Sequence, residues 1–111
     1  MADDTPREAV TYTEESAFHA LGLPDADDLV LRAYLLRRIG EIIRERGLTQ
    51  TAAARQMGMD QPRVSALVRG QVGKFSTDRL LRALNDLGQD VELRIRPADA
   101  PRGTLRVAVA A

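Results

Sequence analysis

A chain of 111 residues suffices for one compact domain with arms, and the absence of cysteine excludes a disulfide framework or thiolate chemistry. No apolar run approaches the roughly 18 residues of a membrane span, and the start lacks a basic-then-apolar leader, so the cytoplasm is the expected compartment. Formal net charge is zero, yet residues 1–30 hold eight acidic side chains against Arg7 alone, while residues 31–111 hold 15 basic and 8 acidic; this segregation suggests that the body of the chain binds a polyanion.

Residues 1–15 are acidic with little periodicity, which predicts a flexible acidic arm whose one large apolar group is Tyr12. Residues 16–23, with Phe18, Leu21 and Leu23, read as one helical turn stopped by Gly22. His19 is the single histidine; with no second ligand or catalytic partner in view, it is assigned to the surface or to packing. Pro24 to Asp28 open the first long helix, with Asp25 as N-cap, Asp28 returning the capping bond, and the acids complementing the helix dipole. No ligand loop follows these aspartates, so no metal is expected. Leu29 to Arg46 is predicted as one long amphipathic helix, or two with a slight break, with Gly40 placed for close packing or a small kink. Leu31, Leu35, Ile39, Ile42 and Ile43 form the inward stripe; Arg32, Arg37, Arg38, Glu41, Arg44 and Glu45 face outward, and Gly47 is the expected C-cap.

Gln50 to Gly70, QTAAARQMGMDQPRVSALVRG, carries the densest set of positional demands. Two helices crossing steeply need a small side chain at closest approach, which Ala54 supplies. The reversal between them needs a positive φ, which Gly58 adopts at little steric cost. Ala53, Met57, Met59, Val64 and Leu67 seal the corner with apolar contacts. Pro62 falls in the first turn of the second helix, where its missing N–H is not needed, and Asp60 can cap the free amides. Thr49 is the N-cap of the first helix, so Gln50 lies at a helix N-terminus suited to gripping a phosphate. The pattern therefore predicts a helix, a tight turn and a second helix, from Gln61 to Arg69, that enters the major groove of DNA.

With Val64 set inward and about 100° per residue, Leu67 and Val68 also fall inward, while Pro62, Ser65, Ala66 and Arg69 fall outward. Gln61 occupies the N-terminal tip and Arg63 the flank. A glutamine can pair with adenine's major-groove edge and an arginine with guanine's, which makes Gln61 the leading base reader, with Arg63, Ser65 and Arg69 as further contacts. Gly70 to Lys74 is a loop and Phe75 a core anchor. Ser76 caps a helix from Thr77 to Leu87 with the apolar stripe Leu80, Leu81, Leu84 and Leu87; Lys74, Ser76 and Thr77 are placed to clamp the next phosphate.

Val91, Leu93 and Ile95 alternate with charged residues up to Pro97, predicting a half-buried strand. Residues 104–109 alternate again after a turn-rich link. Two strands added to a helical domain need a partner. Either they pair with each other and pack on the helices, or Val91 to Arg96 pairs across a two-fold axis and fixes the separation of two reading helices. No nucleophile–base pair, metal-ligand set or phosphate loop is present, so neither enzymatic activity nor a cofactor is expected.

Residues 16–97 resemble the Xre-type helix-turn-helix regulators, the lambda repressor/Cro-like group. The residues that carry the likeness are Phe18, Leu21-Gly22-Leu23-Pro24-Asp25-Ala26, Leu48-Thr49-Gln50, Ala53-Ala54, Met57-Gly58, Gln61-Pro62, Val64-Ser65, Leu67, Gly70, Phe75-Ser76 and Val91 to Pro97. The Leu-Gly-Leu-Pro-Asp stretch narrows the likeness to a subgroup containing HigA-type antitoxins. This resemblance implies a mainly α, five-helix DNA-binding bundle over 16–88 and a C-terminal β extension over 89–111 used in dimerisation. It also implies a homodimer on a double-stranded operator and either an antitoxin that represses its own promoter and neutralises a RelE- or HigB-like toxin, or a stand-alone Xre-type repressor with no toxin partner. Ser16-Ala17 and His19-Ala20 depart from the subgroup's pattern, and residues 98–111 run beyond its usual end.

Overall fold

The computed structural model describes residues 6–12 and 26–110, so the expected turn at 16–23 and the Asp25 cap lie outside the described residues. Among those described, four α-helices follow one another: α1 (Ala26–Glu45), α2 (Gln50–Met57), α3 (Gln61–Val68) and α4 (Thr77–Asp86), with a 3-10 turn at Val72–Lys74. Two strands, β1 (Pro6–Tyr12) and β2 (Leu105–Ala110), form an antiparallel sheet. Two compact units divide the chain, one from Asp28 to Leu93 and one combining Met1–Asp27 with Arg94–Ala111.

In the helical unit α1 is continuous, and its stripe packs as expected: Leu35, Ile39, Ile42 and Ile43 are buried and Leu31 is half-buried. Gly47, at φ 60°, ends the helix as Leu48 N–H bonds back to the Ile43 carbonyl. Each following helix opens on a side-chain cap. Thr49 accepts from Ala52 N–H at 3.0 Å, Asp60 from Arg63 N–H at 2.8 Å and Ser76 from Arg79 N–H at 3.1 Å. Each cap satisfies an amide that has no carbonyl one turn earlier. The stripe of α4 buries Leu80 and Leu84, with Leu87 just beyond its end, against the same core as Phe75.

Arg32 departs from the expected outward face. Its guanidinium ion-pairs with Asp28 at 3.0 Å and donates to the Phe75 carbonyl at 3.0 Å, while Asp28 accepts from the Thr77 hydroxyl at 2.6 Å. The first turn of α1 is thereby tied to the loop that follows α3. An arginine stem long enough to cross an apolar surface, with a carbonyl in need of a donor at the far side, explains the inward turn.

The ends of the chain differ most from expectation. Pro6–Tyr12, expected within a flexible arm, is a strand, paired in register from Tyr12 opposite Leu105 to Glu8 opposite Val109, with an irregularity between Glu8 and Pro6. Val10, Thr11 and Tyr12 are good strand formers, and Pro6 stands at the strand's first position, where a missing N–H is tolerated. Conversely, Val91, Leu93 and Ile95 lie in no strand, and the latter two are 84% and 97% exposed. Among the described residues the alternation there meets no ladder partner, and the partner of β2 is β1.

Candidate nucleic-acid interface

The corner between α2 and α3 is built as its residue types require. Gly58 adopts φ 63° and ψ 36°, and its N–H and that of Met59 both return to the Ala54 carbonyl. Ala53, Met57, Met59, Val64 and Leu67 are buried on the inner side, and Ala54 is half-buried. Arg79 of α4 donates a guanidinium hydrogen bond to the Met57 carbonyl, satisfying an acceptor that the end of α2 leaves open. Sequence reading missed Arg79 because its target lies 22 residues away and no periodicity points to it.

With the inner side of α3 committed to the core, its outer side is offered to solvent. Gln61, Pro62, Arg63 and Arg69 are exposed and Ser65 is half-buried, so all five remain accessible on one helix. Two neighbours differ from the wheel. Ala66, expected outward, is buried, and Val68, expected inward, is 44% exposed. The chain after α3 folds back over the Ala66 side, where Gln71 N–H bonds the Ala66 carbonyl and Phe75 packs into the core. That covers one flank of α3 and uncovers the other.

Asp60, Pro62, Arg63, Ala66, Lys74 and Phe75 line a shallow open groove along the covered flank. There the Arg63 guanidinium lies 5.9 Å from the centre of the Phe75 ring, within cation–π reach, which limits the freedom of that arginine before any partner arrives. Lys74 is exposed beside it. Gln50 is exposed at the first position of α2, with its backbone amide among the four that a helix start leaves open. The Ser76 hydroxyl serves as a cap, and the single Thr77 O–H is given to Asp28. A cap accepts through the hydroxyl oxygen, so the Ser76 O–H remains able to donate, whereas the Thr77 O–H is already engaged.

One further contact sits at the tip of α3. The Gln61 side-chain amide donates to the Thr51 hydroxyl at 2.8 Å, joining the tip of the outward helix to the second residue of α2. Thr51 was not singled out by sequence reading; its exposed place in a capped first turn carries no signal of its own. Among the described residues no group of three or more His, Cys, Asp or Glu could hold a metal ion, and no helix is long and apolar enough to cross a membrane.

Comparison with known proteins matches residues 17–96 to the family model described as "Helix-turn-helix domain". A solved structure assigned by name to the XRE family of transcriptional regulators is similar at a TM-score of 0.70 and 39% identity, covering 79% of this chain and 99% of that one. A search of functionally curated proteins finds no match.

Proposed function

The chain belongs to the Xre-type helix-turn-helix family, and from that premise we propose that it is a sequence-specific, DNA-binding transcriptional regulator that acts in the cytoplasm as a homodimer and has no catalytic role. The observation that carries this reading is the division of α3. Val64 and Leu67 are buried, while Gln61, Arg63, Ser65 and Arg69 stay accessible on a helix held by a capped corner. A duplex major groove admits a helix of this kind, and the amide and guanidinium groups present the donors and acceptors that distinguish base pairs. Gln50 and Lys74 flank the reading helix and supply phosphate contacts that carry no sequence information.

The homodimer is supported by Leu93 and Ile95, which alternate with charged residues on a stretch that lies in no strand and leave apolar side chains in water. Pairing that stretch, from Val91 to Ile95, with its copy would bury them and set the spacing of two reading helices. A more specific reading, an autorepressing antitoxin, is favoured by the charge segregation. An anionic N-terminal segment suits the basic RNA-binding groove of a RelE- or HigB-like ribonuclease.

The test is a mobility-shift titration on the DNA upstream of the protein's own gene. Gln61→Ala and Arg63→Ala combined in one chain are expected to abolish the specific shift while leaving the fold intact, and wild-type affinity is expected to fall steeply with salt. A specific shift that survives both substitutions would overturn the assignment of α3. For the antitoxin reading, converting Asp3, Asp4, Glu14 and Glu15 to amides should release a co-expressed product of the neighbouring reading frame without loss of DNA binding. Retention of that product would remove the role given to the acidic segment.

A further inference from the structure

We infer that Thr51 is a positioning residue that sets the base preference of the reading helix by holding the amide of Gln61. This inference rests on the reading of Gln61 as the base-contacting side chain. The two residues lie ten apart, on different helices, and both are exposed, so no core packing forces them together. What joins them is the 2.8 Å bond from Gln61 Nε2 to Thr51 Oγ1.

A primary amide has two N–H donors and one carbonyl acceptor. One N–H spent on Thr51 leaves the second N–H and Oε1. These are the two groups adenine requires, since its N7 accepts and its N6 amino group donates. A free glutamine at a helix tip rotates about three side-chain torsions and can turn its amide over, exchanging donor for acceptor. A hydroxyl can donate as well as accept, so the bond does not select which way the amide turns; carried on a β-branched, rotamer-restricted side chain, it fixes where the amide sits. Thr51 thus lowers the ordering cost of a glutamine held at the base edge, without touching a base itself. The α2 helix that carries it is fixed at its start by the Thr49 cap and at its end by Arg79, so the hydroxyl is presented from a rigid platform.

The experiment uses the full-length protein and a duplex selected from a random library by the wild type, together with each single base-pair variant of that duplex. Gln61→Ala first identifies the base pairs at which discrimination depends on the glutamine. Thr51→Val, which keeps the shape and removes the hydroxyl, is expected to lower discrimination about 3- to 10-fold at those same base pairs. Other positions, the salt slope and the urea midpoint should be unchanged. Thr51→Ser should restore most of the preference, and the double variant should discriminate no worse than Gln61→Ala. A uniform loss across all duplexes with a shallower salt slope would assign Thr51 to a phosphate and overturn the inference, as would a neutral Thr51→Val beside a deleterious Gln61→Ala. If Gln61→Ala leaves every preference intact, the base-reading role of Gln61 itself fails and the inference falls with it.

Discussion

The same added methyl group should change stability in opposite directions at two glycines of the helical unit. At Gly58 the backbone sits at φ 63° and ψ 36°, and a Cβ built there meets nothing within 4 Å. Any cost of Gly58→Ala therefore comes from the left-handed conformation and not from a clash. That conformation costs an L-residue about 1–2 kcal/mol, and the lower freedom of alanine in the unfolded chain returns about 0.4–1 kcal/mol, for a net loss of roughly 1 kcal/mol. Gly40 lies inside α1, and among the described residues its Cβ would also meet nothing within 4 Å. There Gly40→Ala removes the helix penalty of glycine and should gain up to about 1 kcal/mol. For a unit of this size about 1 kcal/mol corresponds to roughly 4–8 °C in Tm, so the two variants should bracket the wild type. Thermal and urea unfolding followed by circular dichroism reads both shifts. Gly58→Asn should lose less than Gly58→Ala, since asparagine tolerates the left-handed region better. A Gly58→Ala protein as stable as the wild type would refute the argument that this turn requires glycine.

Arg79→Ala strips the Met57 carbonyl of its donor and should cost about 1–3 kcal/mol in urea unfolding, with Arg79→Lys intermediate; an unchanged midpoint would mean that the corner does not depend on this bond. Burial pushes the Glu41 carboxyl up, but hydrogen bonds from Arg38 and Arg37 and their positive charges outweigh it and hold the group below its ordinary value of 4.5. A depressed carboxylate contributes stability that is present above its unfolded pKa and is lost as pH falls through the folded one, so Glu41→Gln should lower the urea midpoint at neutral pH and converge on the wild type as acid protonates the folded-state carboxyl. A difference that persists in acid would point to lost packing instead of lost charge.

The corner was legible because each of its positions makes a demand that few residue types meet: a left-handed turn at Gly58, a cap at Asp60, inward apolar groups at Val64 and Leu67. The exchange of Ala66 for Val68 was not legible. A helical wheel gives direction, whereas burial depends on what returns to cover each flank, and the chain after Gly70 returns over only one of them. The strand pairing was hidden for a related reason. Alternation marks residues able to join a ladder and does not say which segment they will join. Residues 91–96 alternate cleanly yet stand outside the sheet, while Pro6–Tyr12, in an acidic setting, enters it. Thr51, Arg32 and Arg79 belong to the same class, because their partners are distant in sequence.

Pairing Pro6–Tyr12 with Leu105–Ala110 joins segments on opposite sides of the whole helical unit in sequence. During synthesis the first of these leaves the ribosome early and has no ladder partner until residues 105–110 emerge, by which time every residue of the helical unit has emerged. Closing so long a loop carries a high entropic cost, and contacts of such wide separation form slowly. The helices therefore have both time and proximity in their favour, and the sheet is the last seam to close.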